Sequence, residues 1–402
     1  MKYTSQDFKS DQEVRWCPGC GDHAVLASVL KAMPEVCEEL NIDKENIVFV
    51  SGIGCSSRFP YYMNTYGFHS IHGRATAIST GVKVANPKLS VWQATGDGDA
   101  LAIGGNPFIH AIRRNIDLNI ILFNNRIYGL TKGQYSPTSK KGIVTKTSPY
   151  GSIEEPFVPG ALVLGARGTF FARSLDSELK LNQEIMVQAA KHKGTSIMEM
   201  LVNCVIFNDG THQEFAERSV RADRTITLRH GEPMIFGANR DKGLVLDGLQ
   251  LKVVTIGENG VTEKDILVHD AKSDDKLPIH TMLANMKYPD YPVALGVIRD
   301  VEDSTYDENV HNQVAEVKEK ADAAITAIME SEAFQSKLNP AVEQAKERAN
   351  TVTKAVYAAI GDTVTFVLTA TLPNNVSEYD TYKVVFHDTM SAGLTYTNNV
   401  KI

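Results

Sequence analysis

The chain has 402 residues, 43% hydrophobic and 22% charged, with a formal net charge of −7. That length supports two or three domains with a sizeable core, and the charge gives no support to nucleic-acid binding, which shows as a basic face. The polar N-terminus MKYTSQDFKSDQEVRW and the lack of an apolar run of roughly 18 residues predict neither a secretory signal nor a membrane span, so a cytoplasmic protein is expected.

The segment 21–33 reads as a helix following the Cys-Pro-Gly-Cys-Gly turn. Asn46-Ile47-Val48-Phe49-Val50, Leu89-Ser90-Val91-Trp92-Gln93-Ala94 and Leu118-Asn119-Ile120-Ile121-Leu122-Phe123 read as strands, with a helix between the last two from Pro107 to Arg114. Short apolar strands separated by helices predict an α/β fold, a doubly wound parallel sheet covered on both faces. Residues 125–160 are rich in Gly, Pro, Ser and Thr, and so long a loop in a compact domain is usually functional. A helix is predicted over 178–193, a strand over 196–201, and a less regular extension over 205–300. Residues 312–350 read as helices with a solvated face, interrupted at Pro340. From Gly361 the pattern alternates, over 363–371 and 382–386, as in a partial antiparallel β-sandwich.

Two of the strands end in motifs that carry chemistry. Strand 89–94 runs into Gly96-Asp97-Gly98-Asp99, and strand 118–123 into Asn124-Asn125-Arg126-Ile127-Tyr128-Gly129. Neighbouring strand ends in a doubly wound sheet form a ligand crevice. Gly96 and Gly98 would let the backbone approach a diphosphate. Asp97, Asn125 and the Ile127 carbonyl offer the few hard oxygens that magnesium takes alongside substrate phosphates. Gly104 and Gly105 precede a helix whose first amides would face the anion. A lone Gly-Asp-Gly could be a simple turn; joined by strand, helix and strand to Asn-Asn it resembles the diphosphate motif of thiamine-dependent enzymes. Ile71-His72-Gly73-Arg74-Ala75 could contact cofactor or substrate carboxylate, or be a loop with a surface arginine.

Five cysteines, an odd number, argue against a disulfide framework and for metal ligation. Cys17-Pro-Gly-Cys20 alone could be a zinc half-site or a redox dithiol. Cys55 and Cys204 follow strands. Four cysteines on turns and strand exits suit a [4Fe–4S] cluster, but spacing alone leaves structural zinc as a rival. Cys37, within Glu35-Val36-Cys37-Glu38, reads as a packed, inert thiol.

Together these segments resemble the β subunit of 2-oxoacid:ferredoxin oxidoreductases, of the 2-oxoglutarate type. The matching stretches are Trp16-Cys-Pro-Gly-Cys-Gly-Asp22, Gly52-Ile-Gly-Cys-Ser-Ser-Arg-Phe-Pro60, Ile71-His-Gly-Arg-Ala75, Gly96-Asp-Gly-Asp99, Asn124 through Thr138, and Asn203-Cys-Val-Ile-Phe-Asn-Asp209. The resemblance spans about residues 5–320. It implies a [4Fe–4S] cluster on Cys17, Cys20, Cys55 and Cys204, and magnesium on Asp97, Asn125 and Ile127. It implies thiamine diphosphate contacts from Gly54, Ser56, Ser57, His72, Gly73, Gly96, Asp97, Gly98, Asp99, Ala100, Asn125, Ile127, Gly129, Leu130 and Thr131. Arg58, His72, Arg74 and Leu130 fall on positions expected to meet substrate. The implied reaction is oxidative decarboxylation of a 2-oxoacid with coenzyme A, electrons leaving through the cluster to ferredoxin. Thiamine activation needs a glutamate that, in this family, comes from the partner α subunit, so the chain alone is expected to be inactive. Pro107 stands where relatives usually carry histidine; a helix start tolerates it.

Past about residue 320 the family pattern ends. Residues 361–373 and 385–396 resemble part of an isopeptide-forming fimbrial domain of the pilin type, with Lys354 and Asp388 as candidate strand lysine and assisting acid. Such domains are exported, so the two halves imply different compartments and a fused reading frame is one explanation; an accessory β domain is another. The expected division is a cofactor- and cluster-binding domain over 1–230, an extension of the enzyme subunit over 231–320, a helical linker over 321–350 and a partial β domain over 351–402. The competing reading is a fimbrial surface protein or an inactive fusion whose cysteines bind zinc.

Overall fold

The computed structural model describes residues 2–355. It separates into two units, the first spanning residues 1–318 and the second beginning at residue 319. The first is built on an eight-stranded sheet of β1 (Ile47–Ser51), β2 (Tyr66–His69), β3 (Ser90–Gly96), β4 (Leu118–Asn124), β5 (Phe170–Leu175), β6 (Thr195–Leu201), β7 (Thr225–Leu228) and, after a small sheet, β11 (Val293–Asp300). The order is β2-β1-β3-β4-β6-β5-β11-β7. The six strands from β2 to β5 run parallel; β11 pairs antiparallel with β5 and parallel with β7, so the last two are reversed. The small sheet, β8 (Ile235–Phe236), β9 (Lys242–Asp247) and β10 (Gln250–Thr255), is antiparallel.

The near-continuous apolar strands follow from covering both faces. Along β4, Ile121 and Phe123 join one core, with Val25, Val29 and Met33 of the helix Asp22–Leu40 and Ile185, Met186 and Ala189 of the helix Leu179–Lys191. Ile120 and Leu122 join the opposite core, with Phe108 and Ile112 of the helix Gly105–Arg113 and Leu283 of the helix Leu277–Asn285. The alternation is the period-two geometry of a strand.

Several expectations are sharpened. The helix predicted over 21–33 runs on through Pro34 to Leu40 and carries Cys37 into the core. β2 and β5 escape the sequence reading. β2 is short and largely exposed, so it has no apolar run; β5 carries Arg173, buried only because it pairs with Glu199 of β6. β11, inside the stretch read as an irregular extension, is a strand of the main sheet. The predicted break at Pro340 moves to Ser331, between the helices Tyr306–Glu330 and Glu332–Ala355. There the Ser331 hydroxyl accepts from the Phe334 amide and supplies a start signal, while Pro340 lies inside the second helix. Lys354 lies in that helix rather than on a strand, because the alternating pattern begins only at Gly361. Asp388 and the alternating segments lie outside the described residues. Among the described residues, no helix is long and apolar enough to cross a membrane.

Candidate active site

β1, β3 and β4 all deliver their C-terminal ends to one edge of the sheet, and a cleft of about 450 Å³ opens there. Its walls include Gly54, Cys55, Ser56, His72, Gly96, Asp97, Gly98, Asp99, Asn125, Ile127, Gly129, Leu130 and Thr131 of the expected set. Ser57, Arg58, Gly73, Arg74 and Ala100 are not on the wall. Ser57 and Ala100 are buried behind it, and Arg58 and Arg74 are exposed. Gly104 and Gly105 do not line the cleft either; Gly104 is packed against the Asp99 and Ala100 carbonyls, where a Cβ would fall 2.2 Å from one oxygen.

Asp97 opens the helix Asp97–Leu101 and is buried. Its Oδ2 accepts from Ser136 Oγ and Thr138 Oγ1, each at 2.5 Å. Burial pushes its pKa up to about 6 against these hydroxyls and the nearby amides, which pull it down. A buried carboxylate in that state gains from a cation beside it. Asn125 turns its Oδ1 back to the Ile127 amide at 3.1 Å, which fixes the loop between them. Asp97, Asn125 and Ile127 thus sit on one wall, and their oxygen donors suit magnesium.

Asp99 has a different task. Its Oδ1 accepts from the Ile53 amide at 3.1 Å and the Gly73 amide at 2.7 Å and lies 2.8 Å from His72 Nδ1, and its Oδ2 accepts from Thr95 Oγ1 at 2.8 Å. The carboxylate is therefore spent on clasping the Ile53–Gly54 loop and the His72–Gly73 turn to β3. Gly98 also has a second reason: a Cβ there would lie 2.2 Å from the Tyr128 ring, whose hydroxyl bonds the Gly98 carbonyl at 2.9 Å. Tyr128, Gln134, Ser136, Thr138 and Asp22 were not singled out from sequence. The signal available was the polar 125–160 loop, which holds four of them; that loop has no helix or strand between Asn124 and Pro159.

The cysteines come together across the fold. The Cys20 amide bonds the Cys17 carbonyl at 3.0 Å, closing the turn. Next to it the Gly21 amide bonds the Asn203 carbonyl at 3.1 Å, and Asp176 Oδ2 accepts the Asn203 amide at 3.0 Å. This knot sets the Cys17–Cys20 turn beside Cys204. A side chain on Gly21 would strike Asp176. Trp16 Nε1 holds the Cys55 carbonyl at 2.7 Å. Gly129 lies against both Cys55 and Cys204; a Cβ there would be 3.4 and 3.6 Å from their sulfurs. Burial, then neighbouring negative charges including Cys204 and Cys17, pushes the Cys55 thiol up to about 12, and Cys20 rises for the same reason through Asp22, Cys204 and Cys55. Such mutually coupled thiols ionise poorly on their own and suit a cationic centre that would hold them deprotonated. Cys37 couples instead to Asp43 and Glu45. Among the described residues, no three His, Cys, Asp or Glu side chains stand in ready metal-binding geometry.

Arg58 is exposed beside this cluster, where its charge favours the Cys55 thiolate. Pro107 costs the helix no hydrogen bond, since the Phe108 amide makes the first one, to Gly104.

Comparison with known proteins agrees with this geometry. Residues 52–200 match the family described as thiamine pyrophosphate enzyme, C-terminal TPP binding domain. The chain is 49% identical over 323 residues to 2-oxoglutarate oxidoreductase subunit KorB of Mycobacterium tuberculosis, covering 80% of this chain and 85% of that one. It is 43% identical over 189 residues to 2-oxoglutarate synthase subunit KorB of Archaeoglobus fulgidus, 47% of this chain and 69% of that one. A solved 2-oxoglutarate:ferredoxin oxidoreductase from Magnetococcus marinus, with 2-oxoglutarate, coenzyme A and succinyl-CoA bound, superposes with a TM-score of 0.61 at 30% identity. It covers 82% of this chain and 97% of that one.

Proposed function

Since the chain belongs to the β subunits of 2-oxoglutarate:ferredoxin oxidoreductases, we propose that it works in a complex with an α subunit. The complex decarboxylates 2-oxoglutarate, transfers the acyl group to coenzyme A and sends electrons through a [4Fe–4S] cluster to ferredoxin. The observation that carries this reading is the double membership of Cys55. It lines the cofactor cleft and is electrostatically coupled to Cys204 and Cys17. A redox centre on the four cysteines would therefore adjoin the place where electrons are released.

Thiamine diphosphate supplies the electron sink for decarboxylation when bound. Asp97, Asn125 and the Ile127 carbonyl would hold its magnesium. Ser136 and Thr138 hold Asp97 in place from behind. Asp99 holds His72 at the cleft with Nδ1 engaged, which leaves Nε2 as the free ring nitrogen. Leu130 and Thr131 wall the substrate side. Among the described residues, no lysine or arginine lines the cleft. Arg58 and Arg74 would act from its rim, drawing in a dicarboxylate by charge rather than by contact.

The test is anaerobic purification of the chain with its α subunit, then measurement of iron, sulfide and zinc and of dye or ferredoxin reduction. Brown protein with four irons per chain, the content of one [4Fe–4S] cluster, and reduction dependent on both 2-oxoglutarate and coenzyme A is the expected result. Colourless protein with stoichiometric zinc would overturn the electron route.

A further inference from the structure

Behind the cofactor loop lies a second cavity of about 270 Å³ that the reaction does not use. The loop residues alternate between the two spaces. Asn125 and Ile127 face the cofactor cleft, whereas Asn124 and Arg126 line the second cavity. Arg126 has a backbone φ of +56°, the left-handed conformation that turns its side chain away from its neighbours' wall.

The charges around this cavity are unequal. Arg173 and Glu199 form a buried pair at 2.7 Å, and Lys140 and Glu214 a rim pair at 2.8 Å. Arg126 makes no such pair among the described residues. Of the five donors of its guanidinium, the structure places one against an acceptor, the Thr211 carbonyl at 3.4 Å. Burial disfavours its charge, and Glu199 and Glu214 relieve that only from a distance. Lys287 adds a further cation at the rim, with no ion pair among the described residues. Phe157, Pro159, Phe215 and Met286 give the wall an apolar side, while Asn124, Thr138 and Tyr288 are its neutral polar members.

The geometry points to a binding site for a compact organic carboxylate with an apolar body, its carboxylate on Arg126 and its body against Phe157, Phe215 and Met286. A planar guanidinium with free donors matches a carboxylate in two-point fashion, and the apolar walls exclude the hydrated competitors of that pair. The site is separate from the cofactor cleft and stands whether or not the reaction assigned to that cleft is correct.

The probe is benzoate, titrated calorimetrically into the full-length chain in complex with its α subunit. Benzyl alcohol and inorganic phosphate, which lack the charge and the apolar body respectively, are the controls. Saturable binding of benzoate is expected, with each control about tenfold weaker. Arg126→Gln should weaken benzoate by about tenfold and Arg126→Lys by less, because only lysine keeps the charge. Phe157→Ala, at a half-exposed position whose backbone amide still bonds the Pro137 carbonyl, should weaken benzoate without unfolding the chain. No saturable benzoate binding, or equal binding by the wild type, Arg126→Gln and Phe157→Ala, would overturn the assignment.

Discussion

Thr138 Oγ1 lies 2.5 Å from the Asp97 carboxylate and 2.9 Å from Asn124 Oδ1, with its one proton shared between these two acceptors, so a single hydroxyl joins the ends of β3 and β4. Replacing it with valine removes a donor from a buried carboxylate and leaves Asn124 Oδ1 without that partner. Thr138→Val in the assembled enzyme is expected to weaken magnesium–thiamine diphosphate by about tenfold, and Thr138→Ser to retain it. Calorimetric titration checks this. Equal affinity for Thr138→Val and wild type would show that the magnesium site lies elsewhere.

Gly98 and Tyr128 make a second pair. Gly98→Ala places a methyl 2.2 Å from the ring and forces Tyr128 out of its bond to the Gly98 carbonyl. A loss of about 1–3 kcal/mol is expected, with weakened cofactor binding. Adding Tyr128→Ala should recover part of the stability, because the clash is then gone. Urea midpoints of the two single variants and the double variant decide it. Additive losses would mean that the ring is not the obstacle.

Asp99 separates a charge requirement from a geometric one. Asp99→Asn can keep its oxygen toward the Ile53 and Gly73 amides and turn its NH₂ to Thr95, which can accept. Asp99→Ala leaves the Ile53 and Gly73 amides without their acceptor, and leaves Thr95 and His72 only long contacts to the Gly96 and Ile53 carbonyls. The expected costs are about 1 kcal/mol for asparagine and about 3 kcal/mol for alanine. Thermal unfolding reads this, and an asparagine variant as unstable as the alanine one would make the carboxylate's contact with His72 decisive.

His280 gives a pH dependence remote from the cleft. It is fully buried, with Nε2 2.7 Å from the Asp270 carbonyl and Nδ1 3.3 Å from the Arg299 guanidinium. The guanidinium can only donate, so Nδ1 must accept and the ring is neutral. Burial, reinforced by Arg299, pushes its pKa down to about 4. The unfolded histidine titrates near about 6.5. Its stabilisation is therefore complete above about pH 6.5 and falls as the pH drops toward about 4, because the unfolded chain takes up the proton first. Buried Asp22 and Asp97, whose pKa values burial raises, act in the opposite sense. The test is thus the difference between wild type and His280→Gln. Wild type should lose on the order of 1 kcal/mol more than the variant between pH 7 and pH 5. Parallel urea midpoints across that range would sink it.

Much of the site was legible in the sequence because its parts are local. A strand followed by Gly-Asp-Gly-Asp, another followed by Asn-Asn, and a Cys-Pro-Gly-Cys-Gly turn each declare a donor set within a few residues. The parallel core was legible for the same reason: strands buried on both faces must be apolar throughout. Residues whose role depends on a distant partner were not legible. Asp99 read as a cofactor contact and does line the cleft, but nothing local shows that Ile53, Gly73 and His72 will also converge on its carboxylate. Gly98 read as room for a diphosphate, while the structure adds the Tyr128 ring.

The sequence by itself determined which side chains are candidates for the chemistry, since that is a property of residue type and short spacing. Only the tertiary structure decided which of them meet: Cys204 beside Cys20 through the Asn203–Gly21 bond, Thr138 on Asp97, and Arg126 facing away from its two neighbours into a separate cavity. Those relationships come from strand order, a long loop folding back and one left-handed residue, and a linear pattern encodes none of them locally.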